Sequence, residues 1–188
     1  MQVAQGFSRT SGPMVTSDTR PLLAGFLAVQ FFLGYEWLMS GLSKLAADNF
    51  PGSLAGTLAD ATKDQSGWYK SFVDGVVLTN GPLFGSLVMI GELAVGVTLI
   101  VAALTWLVLW SDLSLTSRSV LLTIIVLAGI VGAFMSLNFH LAMGADAPWV
   151  ISADPNDQGV DLDSLMTLLQ VVLAVVSLTY LVRIRRYS

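Results

Sequence analysis

The residues of this chain most able to do chemistry are ionisable or amide side chains set inside apolar stretches. Glu36 interrupts one such stretch and Glu92 another, His140 closes a third, and Gln170 lies within a fourth. A carboxylic acid in a low-dielectric pocket favours its neutral form and can accept or deliver protons, and a histidine does the same near neutral pH. A flat quinone headgroup needs hydrogen-bond partners at its two oxygens and a route for protons. Glu36, Glu92 and His140 have the chemistry to handle such protons, Gln170 and Lys44 to hold the headgroup, and Tyr35, Trp37 and Phe32 to flank its ring. The same carboxyls also suit a purely structural use, as hydrogen-bonding glue between helices, and His140 suits capping or water contact near a helix end. Both readings are open at the level of sequence.

Composition limits the remaining chemistry. The chain has no cysteine and one histidine, so it encodes no disulfide, thiolate metal site, iron–sulfur cluster or multi-histidine zinc site by itself. His140 and Met143 are too close in sequence to ligate opposite faces of one haem iron. A metal at Glu36, Glu92 and His140 has no supporting ligand spacing. Asp154, Asn156 and Asp157 lack the rest of a calcium-loop pattern. Net charge is −4, which disfavours nucleic acid as a partner.

The elements that must position these groups are membrane spans. Of 188 residues 54% are hydrophobic and only 12% charged, about half the charge of an ordinary soluble domain. Four stretches are long and apolar enough to cross lipid: Leu22 to Leu42, Leu83 to Trp110, Val120 to Leu137 and Ser164 to Val182. The expected fold is all-α, a four-transmembrane-helix bundle over residues 21–182. A loosely ordered cytoplasmic arm over 1–20 precedes it, and a basic tail over 183–188 follows. The first apolar run lacks a convincing cleavage site, so it reads as a retained helix. Arg9, Arg20, Arg118, Arg183, Arg185 and Arg186 outnumber Lys44, Lys63 and Lys70 on the other side, which places both termini in the cytoplasm of a plasma-membrane protein.

The external side carries two long connections. Within residues 45–82, Trp68, Phe72, Val73, Val76 and Val77 recur at helical spacing and predict a short interfacial helix. Residues 144–163 combine Pro148, Pro155, Gly159 and five aspartates and predict an irregular cap, with Trp149 near the interface.

Counting 1.5 Å per residue inward from Lys44 and Leu83 puts Glu36 about 12 Å and Glu92 about 13 Å deep, with Gln170 about 10 Å below Asp163. Four rows then predict a shared interior: Ala28, Phe32, Glu36, Ser40 and Lys44 on the first span, and Gly85, Met89, Glu92 and Gly96 on the second. Ala128, Gly132, Ser136 and His140 form the row of the third, and Asp163, Thr167, Gln170 and Ala174 that of the fourth. Lys44, two turns from Glu36, reads as guarding the entrance.

Gly34 and the run Gly41-Leu42-Ser43-Lys44-Leu45 with Phe50, followed by Glu92, Gly96 and Leu99 in the second span, resemble the signatures of DoxX-like membrane proteins. That resemblance covers roughly residues 20–182 and singles out Gly41, Lys44, Glu92 and Gly96; Glu36 is outside the pattern. It implies four spans and a subunit like the DoxD type of thiosulfate:quinone oxidoreductases. No DoxA-type domain is evident, so a complete thiosulfate oxidase is not expected. The resulting expectation is a membrane subunit of a respiratory or sulfur-linked oxidoreductase assembly. Quinone is its cofactor, and lipid and other membrane or extracytoplasmic subunits are its partners. The alternative is a non-catalytic accessory subunit of a larger complex. A proton or solute pathway is disfavoured, because apart from Gln30, Thr105 and Thr123 the cytoplasmic half is apolar.

Overall fold

A computed structural model describes residues 20–143 and 161–186, and the side chains of all of these except residues 20–22. The arm over 1–19 and most of the expected cap, including Trp149 and the aspartates at 154 and 157, lie outside the described residues. Every regular element among the described residues is helical: α1 (Arg20–Ala46), α2 (Phe50–Thr62), α3 (Trp68–Phe72), α4 (Gly81–Leu109), α5 (Leu115–Ala142) and α6 (Leu162–Arg186). Four helices are long and apolar enough to span a membrane, as an integral membrane protein requires. Each outruns its apolar stretch by up to several residues at one or both ends, because helices continue into the headgroup region until a capping or turn residue stops them. Ser114 stops one such extension by accepting a hydrogen bond from the Ser117 N–H at 3.1 Å, which caps α5.

The bundle is built from two close pairs, α1 with α4 and α5 with α6, joined mainly through α4 and α5. Glycine sets the first pair. A Cβ on Gly41 would come within 2.8 Å of the Leu93 side chain, and one on Gly96 would run into the backbone nitrogen of Leu38. Only hydrogen fits there, so the two backbones touch. In the second pair a Cβ on Gly129 would stand 3.1 Å from the Gln170 carbonyl. Leu99, Leu122, Ile125 and Leu173, all fully buried, fill the centre between the pairs.

One end of the bundle holds the start of α1, the α4–α5 turn and the end of α6. There Trp106 stacks on Trp110 at 3.9 Å and meets Tyr180 edge-on, while the Arg118 guanidinium lies 4.9 Å from the Trp110 ring. The other end, which we call the capped end, is closed by the chain between α1 and α4.

That connection departs from expectation. The spacing of Trp68 to Val77 does mark a helix, but it is no isolated surface element: α3, a π turn (Val73–Val77) and a 3-10 turn (Leu78–Asn80) run directly into α4. Val73 and Val77 turn inward and are buried, whereas Trp68, Phe72 and Val76 stay exposed. Ahead of it, α2 is a helix that the sequence conceals, since Pro51, Gly52 and Gly56 with the scattered Ser53, Thr57 and Thr62 mimic a loop. Tertiary packing fixes it: Asn49 caps its first turn, and Gly81 and Gly85 of α4 give room for Ala55 and Pro51 to approach. Gln65 Nε2 donates to the Ala142 carbonyl at 2.8 Å and the Tyr69 hydroxyl to the Asn138 carbonyl at 2.9 Å, which ties the cap to the end of α5.

Candidate functional site

Glu92 is wholly buried on α4, and its Oε2 lies 2.8 Å from Lys44 Nζ on α1. This is a direct ion pair between the glycine-apposed helices. Lys44 therefore pairs across the helix interface, and the entrance-guarding expectation for it is corrected. The ammonium also donates to Ser40 Oγ at 2.8 Å, one turn back on its own helix. Its remaining surroundings are aromatic, with the Phe50 ring 5.4 Å and the Phe139 ring 6.0 Å away. Such faces attract a cation that has lost water. Glu92 Oε1 has no hydrogen-bond partner among the described residues.

A second group adjoins it where α5 ends and α6 begins. His140, almost fully buried, has Nδ1 3.0 Å from Asp161 Oδ2 and 3.1 Å from Ser164 Oγ. Asp161 also caps α6, its Oδ1 accepting the Ser164 N–H at 2.9 Å. Desolvation raises the Asp161 carboxyl, but hydrogen bonds from the Ser164 hydroxyl and N–H, together with His140, outweigh it and hold the group down at about 2. Asp163 lies within electrostatic reach of both His140 and Lys44, which places the two groups side by side at the capped end.

Beneath this layer sit polar groups with no partner. Gln170 is fully buried, its carboxamide pressed onto Gly132, and neither its Oε1 nor its Nε2 is hydrogen-bonded among the described residues. Ser136 Oγ and Trp37 Nε1 are likewise buried and unpaired there. Trp37 packs against Phe139 at 6.2 Å between ring centroids, which links this layer to Lys44 above.

Of the residues singled out by sequence, Glu92, Lys44, His140, Gln170 and Trp37 therefore face the interior of the capped half. Glu36 and Tyr35 do not. Glu36 is exposed, and Tyr35 and Phe32 are 51% and 68% exposed, so none of the three belongs to the interior site. Helical phase explains the error. Four-residue steps advance about 40° per step, so Glu36 is about 80° round the helix from Lys44. The inward face instead follows alternating steps of three and four, through Leu27, Gln30, Gly34, Trp37 and Gly41. Depth is wrong as well. Gly41 opposes Leu93, and Leu38 opposes Gly96, so Glu36 is level with about residue 98, roughly 9 Å from Glu92 along α4. The inward count from Leu83 placed Glu92 too deep: Lys44 is level with about residue 90 of α4, so Glu92 lies only about 3 Å further in. Rows on the other helices are seated as expected, with Glu92, Gly96, Gly132, Ser136, Thr167 and Ala174 all buried.

Glu92, Gln170 and Trp37 are not among the residues that line the apolar cavity next to this layer. That cavity, of about 350 Å³, opens on the other side of Phe139, between α2, α3, α4 and α5. Its walls include Leu54, Phe72, Val77, Val88 and Met135, with Tyr69 and Asn138 as its polar members. Phe139 therefore has Lys44 near its ring and also lines an apolar chamber. Residues that sequence reasoning missed are Phe139, Asp161 and Ser164. Only Asp161 and Ser164 left a signal, as a capping pair opening the fourth span. Among the described residues no cluster of three or more His, Asp or Glu side chains is arranged to hold a metal.

A comparison with protein-family models, with curated proteins and with solved structures gives no match.

Proposed function

We propose that this chain is a DoxX-like integral membrane subunit of a respiratory or sulfur-linked oxidoreductase assembly, and that it holds a quinone ring in the cavity beside Phe139. The observation that carries the reading is the apolar chamber of about 350 Å³ at the same depth as a buried ion pair, with the Phe139 ring lining it. The residues present fit a quinone. Val88, Met135 and Phe72 supply the apolar walls, and Tyr69 and Asn138 supply the polar edge that a ring oxygen requires.

When bound, a quinone supplies two-electron, two-proton redox chemistry, the electrons coming from a donor centre on a partner subunit. The chain's own residues bind and orient the ring, and α2 with α3 shields it from water. The Glu92–Lys44 pair holds a proton-exchanging carboxyl close by, and the His140–Asp161–Ser164 group links that carboxyl to the surface through Asp163. The arginine-rich end then faces the cytoplasm of a plasma membrane, and the capped end faces outward.

The test is quinone reduction and photoreactive-quinone labelling in membranes. Glu92→Gln lowers the rate at least tenfold while labelling persists, and Val88→Phe, which fills the chamber, abolishes labelling. Glu36→Gln leaves both unchanged. Labelling that survives Val88→Phe, or a full rate in Glu92→Gln, overturns the assignment.

A further inference from the structure

We infer that a second copy of this chain packs against the Glu36 face of α1. Glu36 is exposed although it lies eight residues, about 12 Å, inside Lys44 and sixteen residues, about 24 Å, from Arg20. Both distances place its carboxyl within hydrocarbon, where an ionisable side chain almost always meets protein or water. No hydrogen bond or ion pair reaches it among the described residues. The described cation on its own helix, Lys44, pairs with Glu92, and Lys70 and Arg118 are held by Asp74 and by Trp110 with the Ser111 carbonyl.

The occupant follows from what surrounds the carboxyl. Tyr35, one residue and about 100° away, is half exposed and offers a phenolic donor on the other flank of the outward face. An interface about a twofold axis must be self-complementary, each patch meeting its own copy. With the axis along the membrane normal and passing between positions 35 and 36, each Tyr35 hydroxyl donates to the Glu36 carboxyl of the other copy. A donor and an acceptor on the two flanks of one face satisfy that symmetry without any foreign cation. The seam continues at alternating three- and four-residue steps through Gly25, Ala28, Phe32 and Met39, all exposed. A Cβ at Gly25 would meet nothing within 4 Å, so the backbone there is open to a neighbour. Most of the four-residue row that sequence pattern assigned to the interior thus belongs to this outward seam.

The absence of cysteine makes the test direct, because any introduced thiol is the only one in the chain. Met39→Cys in the full-length protein in lipid vesicles is oxidised and its products are weighed. The expected result is a covalent pair of twice the 20.0 kDa chain. Leu107→Cys on α4 and Val175→Cys on α6, 68% and 57% exposed on other faces, stay monomeric. Adding Glu36→Leu to Met39→Cys removes both cross-copy bonds and weakens association about tenfold, given the size of hydrogen bonds between membrane helices. Tyr35→Phe, which leaves the folded chain undisturbed, reproduces most of that loss, and Glu36→Gln, still an acceptor, retains the pair. The inference is overturned by any of three results: no pair at Met39→Cys, equal cross-linking at the control positions, or a pair insensitive to both Glu36→Leu and Tyr35→Phe.

Discussion

Replacing Lys44 by methionine keeps the length and apolar stem of the side chain but leaves Glu92 alone in the bundle. Glu92 is wholly buried, whereas the Lys44 side chain is 21% exposed. Removing one partner of a buried pair costs about 3–5 kcal/mol, and the partial exposure of Lys44 puts this case near about 3 kcal/mol. The reverse deletion is milder. In Glu92→Leu the remaining ammonium can extend along the Phe50 and Phe139 faces toward water, so its cost is about 1–2 kcal/mol. With both replaced no charge is stranded, and Lys44→Met/Glu92→Leu returns to within about 1 kcal/mol of the parent, a coupling of about 3 kcal/mol. Reversible unfolding in mixed micelles, followed by the fluorescence of buried Trp37 and Trp106, measures all four proteins. In a thermal scan the Lys44→Met loss corresponds to about 6–12 °C in Tm for a chain of this size. Equal, small and additive costs for the two single variants would mean that the pair is not desolvated, and the account of the site given above would fail.

Two further predictions concern packing and pH. Gly96→Ala forces a methyl group onto the Leu38 backbone, which cannot yield, and costs about 3 kcal/mol; Gly132→Ala meets only the end of the Gln170 side chain and costs about 1–2 kcal/mol. Because the Gln170 carboxamide has no partner among the described residues, Gln170→Ala rescues Gly132→Ala, while no trimming of a side chain rescues Gly96→Ala; chemical unfolding of the double variants checks both. Asp161, held at about 2, is depressed below its ordinary value near 4, so its stabilising contribution is present above about pH 4 and is lost as pH falls toward 2. Asp161→Asn flattens that acid limb in an unfolding midpoint measured from pH 5 to pH 2.

What the sequence made legible is governed by which interactions are local. The spans could be read because hydrocarbon thickness imposes a length and charge rule on each helix separately. Rows on α4, α5 and α6 could be read because small residues at Gly96, Gly132 and Ala174 mark contact faces at helical spacing. On α1 the same device failed, since a single four-residue step does not fix phase. Trp37 and Gly41, rather than Glu36, mark the inward side. Phe139 gave no signal at all, because an aromatic residue in an apolar helix looks the same whether it meets lipid, a cavity or a cation. α2 was hidden because its stability comes from Gly81 and Gly85 on another helix, with little from its own propensity.

The position of the charged group follows from that glycine packing. Bringing an ammonium on α1 to 2.8 Å from a carboxylate on α4 requires adjoining backbones near that depth, and Gly41 and Gly96 provide this within about a turn on the inner side of the pair. A bulkier residue at Gly96 would separate the helices, lengthen the ion pair and let water or lipid reach Glu92. Packing and chemistry therefore share the same residues, and Gly96→Ala should mimic Lys44→Met in any assay of the carboxyl as well as in stability. Glu36 lies outside this arrangement: its substitution should alter association between copies while leaving the unfolding of the isolated bundle within about 0.5 kcal/mol, the range of a surface change. If Glu36→Leu destabilised the monomer as strongly as Lys44→Met, its carboxyl would have to face the interior, and the phase assigned to α1 would be wrong.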